Sequence, residues 1–161
     1  MGCEFGQWQE WREQHSLDWH LLEQPEHRAL LDLNRDLNHL YLENPVLHAG
    51  DTDPAGFAWI DLHNGDQSVF AFLRRSPLHP DKPPLLCVFN CTPVPREAYW
   101  LGVPEAGTYR KVLDTDAARF GGSGFNQQER VVSQLAPCQG YPCHIRLHLP
   151  PLGALFFELA D

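Results

Sequence analysis

The chain has 161 residues, 43% of them hydrophobic and 11% aromatic, which suffices for a folded core. It is too short for a complete (β/α)8 barrel of about 250 residues. Its formal charge of −9 argues against a nucleic-acid or anionic-membrane partner, because both need a basic surface. No apolar run approaches the roughly 20 residues of a membrane span. The first residues lack a secretory pattern, so we expect a cytoplasmic protein whose five cysteines are reduced, buried thiols.

The first 24 residues are unusually rich in large aromatic side chains for a chain terminus. Trp8, Trp11 and Trp19 follow one another closely, and each tryptophan can cover roughly 200 Å² of surface. Chain ends are usually polar and frayed. We therefore expect that residues preceding Met1 are missing and that this segment comes from the middle of a larger fold.

One amphipathic helix is predicted over residues 25–44. Pro25 suits the first helical position, and Asn44-Pro45 ends the helix because a proline disfavours helical geometry in the residue before it. Apolar side chains recur at three- and four-residue steps on one face of this helix, at Leu30, Leu33, Leu37, Leu40 and Tyr41.

Beyond a turn-rich linker over residues 51–56, the periodicity changes from helical to strand-like. Short apolar strands alternate with Gly, Pro and Asn turns, which is typical of an antiparallel β-sandwich. The predicted strands cover residues 57–61, 68–74, 85–90, 97–102, 109–113, 130–135, 145–149 and 154–159. The fold class is therefore mainly β, with a helical segment over residues 1–49 and an all-β domain over residues 50–161. We expect Trp59 and Phe89 in the core of that domain.

Paired carboxylates are the first candidates for chemistry, since glycoside hydrolysis needs two of them about 5–9 Å apart. The close pairs Asp51/Asp53 and Asp114/Asp116 lie in turn sequences, where aspartate caps backbone groups, and turn chemistry is the favoured interpretation. Glu4, Glu10 and Asp18 lie among the tryptophans and are better placed for sugar contact.

Metal binding and nucleophilic catalysis have weaker support. Cys87/Cys91 and Cys138/Cys143 have spacings that zinc sites tolerate, but free cysteine in an apolar strand usually packs as a small hydrophobe. His144 and His148 share a strand face without a carboxylate at diagnostic spacing. Residues 121–124 (Gly-Gly-Ser-Gly) lack the strand–turn–helix context of a nucleophile elbow or phosphate loop, so we interpret them as a flexible connection. We predict no metal and no cofactor.

The tryptophans of the first segment alternate with Glu, Gln, Asp and His, a mixture typical of carbohydrate clefts. Sugar rings stack their apolar faces on aromatic planes, while carboxylates and amides bind the hydroxyls. The alternative is that these tryptophans pack in the wall of a fold. The candidate substrate-lining residues are Glu4, Gln7, Trp8, Trp11, Asp18 and Trp19.

The combined sequence resembles a family, the bacterial 1,4-α-glucan (glycogen) branching enzymes of the α-amylase clan. Residues 1–8 (MGCEFGQW) and 16–22 (SLDWHLL) resemble the last part of that family's catalytic barrel. Residues 56–61 (GFAWID), 90–96 (NCTPVPR), 120–124 (FGGSG) and 149–154 (LPPLGA) resemble its C-terminal β domain. The resemblance covers essentially the whole chain.

The resemblance implies a parent enzyme that cuts an α-1,4-glucan chain and transfers the released piece to a 6-hydroxyl. Its retaining mechanism would use an Asp nucleophile, a Glu acid/base and a second Asp, all on earlier barrel strands that this chain does not contain. Residues 1–49 would then be the final loop and helix of an incomplete (β/α)8 barrel. We expect the polypeptide alone to be an inactive, monomeric fragment whose residues 1–24 are poorly ordered or wrongly exposed.

Two alternatives stay open beside this interpretation. One is a stand-alone, non-catalytic carbohydrate-binding or scaffold β module. The other is a small metal-binding β protein. The partner expected from the resemblance is an α-glucan such as glycogen or starch.

Overall fold

Antiparallel strands in two sheets dominate the computed structural model, which describes residues 1–9 and 11–160. In the described chain, the larger sheet has the order β1-β2-β3-β8-β5-β6, and β4 pairs with β7 in a second sheet. The strands are β1 Phe57–Asn64, β2 Val69–Arg74, β3 Leu85–Asn90, β4 Arg96–Val103, β5 Thr108–Asp114, β6 Arg130–Val132, β7 Cys143–Leu149 and β8 Gly153–Ala160. Every predicted strand is present, with ends that shift by a few residues.

A single α-helix, α1 (Pro25–Glu43), precedes the strands in the described residues. Pro25 stands at its start and Glu26 in its first turn, where a negative charge complements the helix dipole. The Asn44 side chain accepts a hydrogen bond from the Val46 N–H at 3.2 Å. The predicted helix is thus confirmed to within one residue. Short 3-10 turns cover Cys3–Phe5, Trp19–Glu23, Pro45–Leu47, Pro54–Gly56 and Ala118–Phe120.

The core lies between the two sheets and follows the two-residue period of the strands. In β2, Val69, Ala71 and Leu73 are buried, whereas Phe70 and Phe72 lie on the opposite, outer face. The largest buried side chains of the core come from both sheets and include Leu86, Leu101, Ile145, Leu147, Leu149, Leu155 and Phe157. This packing confirms a mainly β, antiparallel sandwich.

The expectation that Trp59 lies in the core is wrong. Ala58 and Ile60 are the β1 residues that face the second sheet, so Trp59 between them points outward and remains 46% exposed. Phe89 is only partly buried and packs on the same outer face. Large aromatic residues suggested burial, but strand alternation decides the face on which they lie.

The helical segment meets the larger sheet on this outer face. Val46 is fully buried there against Leu85 and Cys87, in a second small apolar cluster. The Arg74 guanidinium donates to the Leu47 carbonyl at 3.1 Å and pairs with Asp51. A second connection is the 2.7 Å ion pair between Arg119 and Asp36 of α1. Residues 45–51 therefore join the helix firmly to the sheet.

The connection between β5 and β6 is organised by one carboxylate. Asp116 accepts hydrogen bonds from the Ser123 N–H at 2.8 Å, the Ser123 hydroxyl at 2.5 Å and the Phe125 N–H at 3.2 Å. Gly122 leaves no room for a side chain, because a Cβ would collide with the Asp116 backbone. The predicted connection is thus confirmed as a loop, but the expectation that residues 121–124 are a flexible connection is wrong, because specific hydrogen bonds hold them.

Candidate functional site

The 3-10 turns Cys3–Phe5 and Trp19–Glu23 pack against the N-terminal half of α1 through a few buried contacts. Phe5 and Leu21 are completely buried, and the Phe5 ring stacks on Trp19 with centroids 5.2 Å apart. His27 Nδ1 lies 2.7 Å from the Phe5 carbonyl and donates to it. Asn34 Nδ2 donates to the Glu4 carbonyl at 3.0 Å. These contacts fix the path of the segment across the helix.

The structure brings together some of the predicted substrate-lining residues. Gln7 Oε1 accepts a hydrogen bond from the Asp18 N–H at 3.0 Å, which ties the two stretches of the segment to each other. Trp8 meets the edge of His27 at 5.8 Å between ring centroids. Trp8 is nevertheless 71% exposed and Trp19 56% exposed. The two tryptophans therefore present broad apolar faces to solvent.

Glu4 and Trp11 stand apart from the other candidates. Trp11 is 86% exposed and lines a shallow cavity of about 420 Å³ with Met1, Cys3 and Glu13. The Glu4 side chain is exposed, and in the described residues neither it nor Trp11 has a hydrogen bond or ring contact with the other candidates. Glu10 lies outside the described residues. The six predicted residues thus share a surface but do not line one common cleft.

Helix α1 is poorly covered by the rest of the chain. None of its residues is fully buried, and Tyr41 and Leu42 are 47% and 70% exposed. A helix with such a clear apolar face normally buries it against another element. The expectation that residues 1–24 are poorly ordered or wrongly exposed agrees with the exposure of Trp8, Trp11 and Trp19, but it is wrong for Phe5 and Leu21, which are completely buried.

A second aromatic surface, on the outer face of the larger sheet, was missed by the sequence analysis. Its rings contact one another across four strands, for example Phe70 and Phe89, which stack with centroids 4.7 Å apart. We call this the aromatic face, and it comprises Phe57, Trp59, Phe70, Phe72, Phe89 and Phe156. The alternation in Phe57-x-Trp59 and Phe70-x-Phe72 was the signal that could have revealed it.

At one end of the aromatic face lies a shallow groove of about 350 Å³. We call it the Trp59 groove, and it is lined by Trp59, Leu62, Asn64, Gly65, Ser68, Val69, Phe70 and Cys91. An apolar floor with a few polar groups at its border is the usual composition of a small-molecule site.

The predicted turn role is confirmed for Asp53, Asp114 and Asp116, whereas Asp51 forms an ion pair with Arg74 instead. Asp53 accepts from the Ala55 N–H at 2.8 Å, and Asp51 pairs with Arg74. Asp114 accepts from the Asp116 N–H at 2.9 Å, and desolvation by burial raises the pKa of the Asp114 carboxyl. Each carboxylate is thus occupied by backbone donors or a guanidinium, and neither pair faces an open cleft as a glycoside-cleaving pair would.

Another carboxylate, Asp61, forms a polar network at the edge of the sandwich. It accepts hydrogen bonds from the Tyr99 hydroxyl, from Asn64 at 3.3 Å and from Gln139 at 3.0 Å. Burial and then the hydrogen bond to Asp61 raise the pKa of Tyr99, so the phenol stays protonated and donates. The network joins β1, β4 and the β6–β7 connection, which is a structural role.

Possible metal ligands remain scattered through the described residues, where no three His, Cys, Asp or Glu side chains come together. His144 is buried and its Nδ1 donates to the Ala136 carbonyl at 2.9 Å. The expectation of buried cysteines is confirmed for Cys87 and Cys143, but it is wrong for Cys3 and Cys91, which are exposed, and Cys138 is only partly buried. Burial raises the pKa of the Cys87 thiol to about 12. Among residues 1–9 and 11–160, the metal-binding alternative therefore has no ligand set.

Comparison with known proteins identifies the β part of the molecule. The family described as "Alpha amylase, C-terminal all-beta domain" matches residues 59–160. The chain belongs to this family. A crystal structure of the alpha-amylase from H. orenii has the same fold, with a TM-score of 0.51 at 19% identity over 86% of this chain and 22% of that one.

Relatives that match nearly the whole chain are 1,4-alpha-glucan branching enzymes named GlgB. The Roseobacter denitrificans protein is 48% identical over 100% of this chain and 22% of its own length. The Thiobacillus denitrificans protein is 46% identical over 98% of this chain and 21% of its own length. The Pseudomonas aeruginosa protein is 46% identical over 99% of this chain and 21% of its own length.

The chain therefore spans about a fifth of the length of the curated relatives it matches. Its resemblance to the C-terminal portion of the glycogen branching enzymes is confirmed. A separate finding is that none of the described helices combines the length and hydropathy needed to cross a membrane.

Proposed function

We propose that the chain serves as the C-terminal portion of a 1,4-α-glucan branching enzyme, which transfers a piece of α-1,4-glucan to a 6-hydroxyl. Identity of 46–48% with branching enzymes over essentially the whole chain carries this proposal. In it, residues 1–49 are the last loop and helix of an otherwise absent (β/α)8 barrel, and residues 50–161 are the C-terminal β domain. The exposure of Tyr41 and Leu42 near the end of α1 supports that division, because a barrel would cover these side chains.

The polypeptide alone has no branching activity under this proposal. Retaining transfer needs two carboxyl groups facing each other across a bound sugar, about 5–5.5 Å apart. The close aspartate pairs here are hydrogen-bonded within turns instead. In this proposal the C-terminal portion packs against the barrel. The border of the glucan cleft includes the six candidate residues Glu4, Gln7, Trp8, Trp11, Asp18 and Trp19. The assembled enzyme is a cytoplasmic monomer that acts on α-glucan and not on nucleic acid.

A chimera tests this role directly. In the Pseudomonas aeruginosa relative, the segment matching this chain is replaced by the 161 residues, and amylose branching is followed by iodine staining. The same relative with that segment deleted serves as the negative control. We expect branching by the chimera and none by the deletion. A well-folded chimera that fails to branch amylose would contradict the proposal.

A second function, glucan binding by the β domain, is favoured by the exposure of Trp59 beside a groove without charge. Neutral sugars offer an apolar ring face for stacking and hydroxyls for polar side chains at the border. Trp100 on the smaller sheet provides a matched control, because it is 45% exposed and Trp59 is 46% exposed. In affinity electrophoresis through a glycogen gel, we expect Trp59→Ala to lose retardation and Trp100→Ala to keep it. Equal migration with and without glycogen would count against this function.

A further inference from the structure

Trp8 is supported by two neighbouring side chains although most of it is exposed. Its ring meets the His27 ring edge to face, with centroids 5.8 Å apart. The Gln7 side chain bridges the backbone on either side of Trp8, because Gln7 Nε2 donates to the Gln9 carbonyl at 2.7 Å. Trp11 is also exposed, but within residues 1–9 and 11–160 it makes no ring contact and no side-chain hydrogen bond. Trp8 is therefore held in a way that Trp11 is not.

The His27 ring is itself fixed by the loop that it supports. Its Nδ1 donates to the Phe5 carbonyl at 2.7 Å, which is at the short end of the range for such hydrogen bonds. Gly6 has a φ of 70°, and a Cβ there would lie 3.1 Å from Leu30 Cδ2 and 3.6 Å from His27 Nδ1. The backbone of this loop thus lies directly against α1. Rotation of the ring that contacts Trp8 would break the hydrogen bond to Phe5.

The Gln7 amide is engaged at both ends within the chain. Its Oε1 accepts a hydrogen bond from the Asp18 N–H at 3.0 Å, and its Nε2 donates to the Gln9 carbonyl. The Gln7 side chain is half-buried, whereas Glu4 and Trp8 are exposed. The contacts of Gln7 therefore lie within the protein, and the surface that a ligand meets beside it belongs to its exposed neighbours.

Support of this kind has an energetic consequence for binding. A mobile side chain loses conformational entropy when a ligand stacks on it, and this loss weakens the affinity. A ring that is already held in one orientation avoids most of that loss. Functional side chains are most precise when neighbouring groups lock their rotamers. His27 supports the ring of Trp8 and Gln7 supports its backbone, so both degrees of freedom are restricted before a ligand arrives.

We infer that His27 and Gln7 are positioning residues that hold Trp8 in the orientation in which it contacts α-glucan in the assembled enzyme. This inference rests on the proposed role of the chain in a branching enzyme. It adds His27 to the residues that matter for substrate binding, and it gives Gln7 an indirect role. Neither residue bonds to the glucan. His27 acts through the ring of Trp8, and Gln7 acts through the backbone on either side of it.

Steady-state kinetics of amylose branching test this role in the chimera that carries the 161 residues within the Pseudomonas aeruginosa relative. Leucine provides bulk without a hydrogen-bonding group at either position. We expect His27→Leu and Gln7→Leu each to raise KM about tenfold and to leave kcat within about twofold, because stacking on Trp8 is made equally in the ground and transition states. A loss of stability alone would reduce the active fraction, which lowers the apparent kcat and leaves KM unchanged.

A matched control and a double-mutant cycle complete the test. His39 is an exposed histidine on the same helix, and its side chain has no hydrogen bond in the part of the chain that the structure describes. His39→Leu should leave KM and kcat unchanged. Trp8→Ala should raise KM about tenfold by itself. If the two positioning residues act only through Trp8, then His27→Leu or Gln7→Leu added to Trp8→Ala should raise KM by no more than about twofold further.

The outcomes distinguish this inference from the function beneath it. A folded, unsubstituted chimera that does not branch amylose overturns the proposed function and this inference with it. A branching chimera whose KM is unchanged by either leucine variant overturns the role of that residue alone. A fall in kcat at constant KM does the same, and so do effects that multiply in the Trp8→Ala background. A rise in KM that disappears in that background supports the positioning role.

Discussion

The contrast between Phe157 and Trp59 gives a quantitative test of which face of the larger sheet is the core. Phe157 on β8 is completely buried between the sheets, so truncation to alanine removes apolar contacts and leaves a cavity. We expect Phe157→Ala to lower the free energy of unfolding by about 3–5 kcal/mol.

Trp59 is 46% exposed, so only about half of its roughly 200 Å² is removed from water. About 100 Å² at about 25 cal/mol per Å² gives an upper value of about 2.5 kcal/mol. The unfolded chain already buries part of this surface, so the expected loss of unfolding free energy for Trp59→Ala is about 1.5–2 kcal/mol. Trp59→Ala opens no enclosed cavity, because the aromatic face is open to solvent.

Urea unfolding at neutral pH, followed by circular dichroism and extrapolated linearly to water, measures both values. Trp100→Ala is the control for loss of a half-exposed tryptophan from the smaller sheet. A loss for Trp59→Ala equal to that for Phe157→Ala would refute the assignment of faces. So would a loss below about 1 kcal/mol for Phe157→Ala, since core truncations of this kind cost several times more.

Three further predictions concern the helix and the β5–β6 connection. Hydrogen exchange should be faster in α1 than in β3, because α1 has no fully buried residue; equal protection would contradict the weak coverage of the helix. Asp116→Ala should lower the free energy of unfolding in urea by about 2 kcal/mol, because it removes three hydrogen bonds. Asp53→Ala removes one hydrogen bond and should cost about 0.5–1 kcal/mol. Equal losses would show that Asp116 does not organise the loop. Burial raises the pKa of Asp114, so the folded state binds the carboxyl proton more tightly than the unfolded state. The contribution of Asp114 to stability therefore falls as the pH rises from its unfolded pKa through its folded pKa. The difference in unfolding free energy, wild type minus Asp114→Asn, should therefore fall across that range, and a difference that rises would contradict the direction of the shift.

Strand order along the chain and the position of the helix could be predicted from periodicity because both depend on local sequence. Alternation in residues 69–74 and the proline at each end of the helical segment are signals within a few residues of the elements they define. The turn roles of Asp53 and Asp116 could be predicted for the same reason.

The outward position of Trp59 could not be inferred from hydrophobicity alone. It depends on which neighbours, Ala58 and Ile60, face the second sheet, and the order of strands sets that arrangement. A shallow groove lined by Phe89, Thr115 and Leu152 was likewise invisible in sequence, because these residues lie on three different parts of the chain.

The predicted glucan contacts of residues 1–24 were only partly brought together. Gln7 and Asp18 meet through one hydrogen bond, whereas Trp11 projects alone into solvent. Residue type predicted which side chains would contact a sugar, but the shape of a cleft depends on elements far apart in sequence.

Branching activity of the isolated 161-residue chain is the most direct test of the central claim, that the catalytic carboxylates lie elsewhere in the parent enzyme. The purified chain is incubated with amylose, and α-1,6 linkages are counted after digestion with a debranching enzyme. A full-length branching-enzyme relative is the positive control. We expect an unchanged iodine stain and no new branch points from the chain alone. New α-1,6 linkages formed by the chain alone would contradict the account.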